Sequence, residues 1–144
     1  MAVALLAVAA PVQAKDWIQI TLWKGEMLTL IDYGFYEGFG WERMDDFRVD
    51  RDKVTVVHRG EPLELLFQSI RMIENSKPRF TETFHDLAVD LVDGNSFRCE
   101  GTWKAIGVTG RSRVGEVWIP GSEIRSIEFL RADSGRRPAG ESGE

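Results

Sequence analysis

The sequence predicts an all-β protein in which one small unit is used twice, and three observations carry that reading. Apolar and polar residues alternate in short runs, and no stretch keeps a long helical period. Glycine-bearing turns separate those runs at the spacing hairpins favour. Finally, Gly115 to Phe129, G-E-V-W-I-P-G-S-E-I-R-S-I-E-F, follows the plan of Glu61 to Glu74, E-P-L-E-L-L-F-Q-S-I-R-M-I-E. Setting Ile124 on Ile70, an offset of 54 residues, also aligns Arg125 with Arg71, Ile127 with Ile73, Glu128 with Glu74, Ile119 with Leu65 and Val117 with Leu63.

From Trp17 the run W-I-Q-I-T-L-W puts Ile18, Ile20 and Leu22 on one strand face and Trp17, Gln19, Thr21 and Trp23 on the other. Lys24-Gly25 reads as a two-residue turn into M-L-T-L-I. The second unit does the same: Leu87, Val89 and Leu91 share a face, Asp93-Gly94 turns, and S-F-R-C-E returns with Phe97 and Cys99 inward. Gly94 falls on Gly25 at an offset of 69, so the first unit carries fifteen extra residues, placed at Tyr33 to Phe47. K-V-T-V-V-H then pairs with E-P-L-E-L-L-F across Arg59-Gly60, and A-I-G-V-T-G-R-S-R-V-G-E-V-W-I-P is its counterpart, with a tip near Arg111 to Gly115. A short polar step and a last strand, R-M-I-E or R-S-I-E-F-L, end each unit.

That order is expected to give two five-stranded barrel units, 15–74 and 87–130, packed as one domain, because chains near forty residues rarely bury enough surface alone. Residues 75–86 link them, with Lys77-Pro78 barring a continuous strand. Phe80 and Phe84 have the opposite parity to Leu87, which predicts a bend or bulge near His85-Asp86. The tail 131–144 has no apolar period and is expected to be disordered.

The pattern D-G-x-x-F followed by G-x-V-x-I-P-x-S-E-I-x-S-I-E-F resembles the small SH3-like or Sm-like barrel modules of uncharacterised, exported bacterial proteins. The resemblance covers Leu87 to Leu130 well and Ile18 to Glu74 weakly, since the Tyr33 to Phe47 insertion departs from it. It implies a fold and a role in binding or assembly, and it brings no catalytic residues.

The chain has 144 residues, 43% hydrophobic and 28% charged, an ordinary globular balance for one domain. With a net charge of −5, general attraction to nucleic acid or anionic lipid is not expected, which leaves room for a local basic patch. Residues 1–14 carry no charged side chain and end in Val12-Gln13-Ala14, which fits a cleaved secretory leader, although no Lys or Arg precedes the apolar run. The mature chain is expected to start at Lys15, to be periplasmic or secreted, and to have no transmembrane segment, because ten or so apolar residues rise only about 15 Å against about 30 Å of hydrocarbon. Cys99 is the single cysteine, so no intrachain disulfide forms, and a small buried hydrophobe is preferred to a reactive thiol.

The insertion Y-G-F-Y-E-G-F-G-W-E-R-M-D-D-F holds six aromatics and three glycines. It either lies over the core as a lid or hairpin, or presents its aromatics to a partner. Trp17, Trp23 and Trp118 fall on the faces opposite the Ile and Val core, and their repeat equivalents are Asp86, Val92 and Glu64. What the fold requires should recur in both units, and these do not. They either fill the seam between units or form a binding surface. The candidate binding residues are therefore Trp17, Trp23, Tyr33, Phe35, Tyr36, Phe39, Trp41 and Trp118.

Asp45, Asp46, Asp50 and Asp52 lack the glycine and terminal Glu of a calcium loop, and His58 and His85 stand alone, so neither a metal nor a cofactor is expected. No nucleophile-elbow pattern accompanies them, and Arg111 and Arg113 read as a solvated hairpin tip. The expected function is a non-enzymatic exported module acting through contacts with another envelope protein, with small-ligand or carbohydrate binding as the alternative.

Overall fold

The computed structural model describes residues 16–38, 48–78 and 83–132. The leader, Phe39 and Trp41, Asp45 and Asp46, Phe80 and most of the tail lie outside them. Among the described residues there are twelve strands, two short 3-10 turns and no α-helix, so the all-β expectation holds.

The strands are β1 (Trp17–Leu22), β2 (Met27–Glu37), β3 (Arg48–Asp50), β4 (Lys53–His58), β5 (Glu61–Leu66), β6 (Ile70–Glu74), β7 (Leu87–Leu91), β8 (Ser96–Cys99), β9 (Gly101–Thr102), β10 (Ala105–Ser112), β11 (Gly115–Pro120) and β12 (Ile124–Leu130). One sheet runs β11-β10-β2-β1-β12-β6-β7-β8, with β3 beside β2, and a second runs β5-β4-β9; every pairing is antiparallel.

Some local features occur at the offsets of 54 and 69 residues. The 3-10 turns Phe67–Ser69 and Gly121–Glu123 stand 54 residues apart and lead into Ile70 and Ile124. The β1–β2 and β7–β8 turns match at the offset of 69: Leu22 N–H bonds Glu26 O and Gly25 N–H bonds Leu22 O, while Leu91 N–H bonds Asn95 O and Gly94 N–H bonds Leu91 O. Both are three-residue connections rather than the two-residue turn expected at Lys24-Gly25, and each needs a left-handed residue last, met by Gly25 at φ 105° and Gly94 at φ 96°. Arg59-Gly60 is a two-residue turn as expected, both residues having positive φ.

The units do not stand side by side as two closed barrels. Neither sheet closes into a barrel among the described residues. Instead β1 and β2 of the first unit pair with β12 and β10 of the second, and β7 and β9 of the second pair with β6 and β4 of the first. The two units meet at β12 and β6, where Ile127 opposes Ile73, Ser126 opposes Glu74 and Glu128 opposes Met72. The two members of the Ile pair stand 54 residues apart, the offset of the sequence alignment. The same exchange places Trp23 N–H on Glu123 O and Val92 N–H on Ser69 O.

One core row crosses six strands, Leu28-Ile20-Ile127-Ile73-Val89-Phe97, with Ile20, Ile127, Ile73 and Val89 at most 2% exposed. Under it lie Phe35, Phe67, Phe84 and Phe129, in tilted ring contacts of 5.6–5.8 Å centred on Phe67 and Phe35. The expected bend before Leu87 is present: Asp86 has φ 55°, which lets both Phe84 and Leu87 turn inward.

Candidate functional site

The six candidate residues that the structure describes scatter. Trp17, expected outward, is 3% exposed: it shares a cross-strand row with Ile31 and Leu130, and three apolar neighbours bury one another. Tyr33, Phe35 and Tyr36 do not belong to a displayed loop. They continue β2, which runs on through Glu37 and pairs with β10, burying Phe35 and Tyr36 in the core. Tyr36 covers Gly107, where an added Cβ would collide with its ring, and packs edge-on against half-buried Trp118 at 5.0 Å. Phe39 and Trp41 lie outside the described residues. Trp23, 37% exposed, remains at the surface.

Around Trp23 the structure assembles a groove of about 510 Å³ that the strand pattern alone does not reveal. Cross-strand pairing lines up Met27, Thr21, Ser126, Glu74, Ala88 and Arg98, one from each of six adjacent strands, on the outer face. Thr21, Ser126 and Ala88 are short and form the floor. Trp23 and Arg125 wall one end, Met72 and Glu74 rise beside the floor, and Arg98, paired with Asp86 at 3.1 Å, stands at the far end.

Arg125 reaches this face because of a β-bulge. Leu22 opposes Ile124 and Thr21 opposes Ser126, leaving Arg125 as the extra residue, so that Arg125 and Ser126 both line the groove. The β6–β7 pair has a similar bulge: Leu91 opposes Ile70 and Asp90 opposes Met72, leaving Arg71. There the resemblance of the two places ends. Arg71 is neutralised by Asp90 at 3.1 Å and has Val92 as its turn residue. At the first unit's positions Asp90 is replaced by Thr21 and Val92 by Trp23. Arg125 takes part in no ion pair among the described residues and lies 6.0 Å from the Trp23 ring centroid. The offsets held this signal in advance, since Arg71 and Arg125 align while Asp90 and Val92 do not match their equivalents.

Asn75, 4% exposed, anchors the groove from below. Its Nδ2 shares two N–H donors among the carbonyls of Thr83 (3.3 Å), Gly121 (3.1 Å) and Ile124 (3.0 Å), its Oδ1 accepts from His85 N–H (2.8 Å), and its own N–H donates to Arg125 O (2.9 Å). Asp50 caps its own turn through bonds from Asp52 N–H and Lys53 N–H, so this part of the acidic run serves the backbone. Among the described residues no group of three or more His, Cys, Asp or Glu side chains is placed to hold a metal. No helix there is long and apolar enough to cross a membrane.

Burial pushes the Cys99 thiol up to about 11, in keeping with the buried, inert role expected of it. Burial, helped by Asp16, pushes the Tyr33 phenol up to about 12, and burial with Glu123 does the same for Tyr36. These groups bind protons more tightly folded than unfolded, so their contribution is complete below the ordinary values of 9.0 and 10.0 and is lost as pH rises towards 12. The thermal midpoint is therefore expected to fall steadily between pH 9 and 12. A midpoint level across that range would contradict the burial of these three groups.

Comparison with protein-family models, with curated proteins and with solved structures returns no match.

Proposed function

We propose that this chain is a non-enzymatic, exported binding protein whose contact surface is the groove across the outer face, centred on Trp23 and Arg125. The observation that carries this reading is the broken symmetry at the bulge. An arginine recurs at both bulges, yet the first unit lacks its carboxylate partner and sets an exposed tryptophan beside it. Export rests on the leader-like residues 1–14. The offsets of 54 and 69 support reading the scaffold as two SH3-like units that have exchanged halves.

A second reading, assembly with another envelope protein, is favoured by β5. This edge strand is exposed at five of its six residues, with Leu63 37% and Leu66 46% exposed. Its partial counterpart β11 half-buries Val117 at the position of Leu63. An open apolar edge of this kind suits protein contacts.

Amide and indole chemical shifts of the full chain, followed while envelope glycans, peptides and lipids are added, separate the two. Shifts confined to Thr21, Trp23, Ser126, Ala88 and Arg98 are expected from the groove reading. Shifts confined to β5 would replace it with the assembly reading, and none with any addition would remove both.

A further inference from the structure

Resting on the groove as the contact surface, we propose that its ligand is a carboxylate-bearing carbohydrate. In this arrangement Arg125 takes the carboxylate, Trp23 stacks on a sugar ring, and Glu74, Thr21 and Ser126 take ring hydroxyls.

The placement of the groove on a sheet face, rather than at an edge, argues for a sugar over a peptide. On a face every backbone N–H and C=O already points sideways into the ladder. The groove therefore offers a ligand side chains alone. A peptide laid there would leave its own amides short of partners, at a cost of roughly 1–3 kcal/mol for each buried group. A pyranose has the reverse character, an apolar C–H face for an indole and a rim of hydroxyls for short polar side chains. The lining matches it: one exposed indole, two hydroxyl side chains on the floor, and a carboxylate, Glu74, that accepts hydrogen bonds.

The charge on the ligand follows from Arg125. At the equivalent bulge Asp90 already occupies the guanidinium of Arg71. At the position equivalent to Asp90 stands Thr21, and among the described residues no carboxylate pairs with Arg125, so a carboxylate from outside can dock there. The Arg125 guanidinium carbon lies over the Trp23 ring, 6.0 Å from its centroid, so the cation and the indole share one end of the groove. Glu74, opposite Ser126, disfavours a second carboxylate close by and favours hydroxyls there. From Thr21 to Arg98 the floor crosses four strand spacings, about 19 Å at about 4.8 Å each, so the site suits an extended oligosaccharide. Its volume of about 510 Å³ falls within the range of small-ligand sites, about 300–1,000 Å³.

The test uses the full mature chain with an oligogalacturonide and its fully methyl-esterified form, which keeps the sugar and removes the charge. Binding is read from the Trp23 indole shift. The acid form is expected to bind at least tenfold more tightly than the ester and to weaken as salt is raised. Arg125→Gln is expected to remove that difference, whereas Arg71→Gln, the same change at the equivalent bulge, leaves it intact. Equal binding of acid and ester, or an unaffected Arg125→Gln, would overturn the carboxylate assignment while leaving the groove as a sugar site. No indole shift with either oligosaccharide would overturn the carbohydrate class. The groove itself fails only if Trp23 is also unmoved by peptides and lipids. Both arginines are exposed, so the variants are expected to fold, and an unchanged thermal midpoint checks it.

Discussion

Cut after Pro78, the chain is expected to give two halves that are each unfolded alone and fold when mixed. The reason is the strand exchange. The first half by itself keeps only the β1–β2 and β4–β5 hairpins and the short β3 contact, and loses β12 beside β1, β10 beside β2, β9 beside β4, and both neighbours of β6. Isolated hairpins are marginal in water, and neither half retains the six-strand core row that Ile73 and Ile127 join. Circular dichroism of residues 15–78 and of 79–144 should show no cooperative thermal transition, and an equimolar mixture should show one and migrate as a one-to-one complex. Two barrels in succession would behave oppositely. Cooperative unfolding of either half alone would refute the exchange.

The largest effect of a single substitution is expected at Asn75. One side chain ties together the end of β6, the segment before β7 and the turn into β12 through bonds to Thr83, Gly121, Ile124 and His85. Asn75→Ala removes two N–H donors shared among three carbonyls, of which Gly121 O keeps the Ile124 N–H, and removes the acceptor of His85 N–H, in a site 4% exposed, where a buried polar group that loses its partner costs about 1–3 kcal/mol. Relaxation and water recover part of that, so a net loss of about 2–4 kcal/mol is expected, or roughly 8–15 °C of thermal midpoint for a domain of this size. Asn75→Asp probes the donor separately. At neutral pH it turns a carboxylate towards three carbonyls and should cost more than Ala. Below about pH 4 the protonated acid supplies one donor again, and the deficit against wild type should narrow. A loss under 1 kcal/mol for Asn75→Ala would show that the hub does not hold the two units together.

The alternation of W-I-Q-I-T-L, the left-handed glycines at Gly25, Gly60 and Gly94, and the offsets of 54 and 69 were legible in the sequence. Each is local: period two decides which face a side chain takes, and a turn's φ decides which residue it tolerates. Ile18, Ile20, Leu87 and Val89 could therefore be placed in the core, and Cys99 among the buried residues, before any partner strand was known, whereas Ile124 and Ile127, three residues apart, are both buried only because of the bulge at Arg125. Partner choice is a different matter. Both units carry similar strands in the same order, so an alternating pattern cannot say whether β1 lies against β6 or β12. Only summed packing over the whole chain decides it, and it chose exchange. The burial of Trp17, Phe35 and Tyr36 follows from those neighbours, since β2 continues past Asp32 to meet β10. The groove has the same origin. Its floor is one residue from each of several strands brought into register, and the bulge that turns Arg125 onto it exists only where β12 meets β1. What could be read from the chain alone was the face each strand residue takes and which residues turn, because these depend on neighbours along the chain. The tertiary structure decided the strand partners and the site, because these depend on neighbours across the sheet.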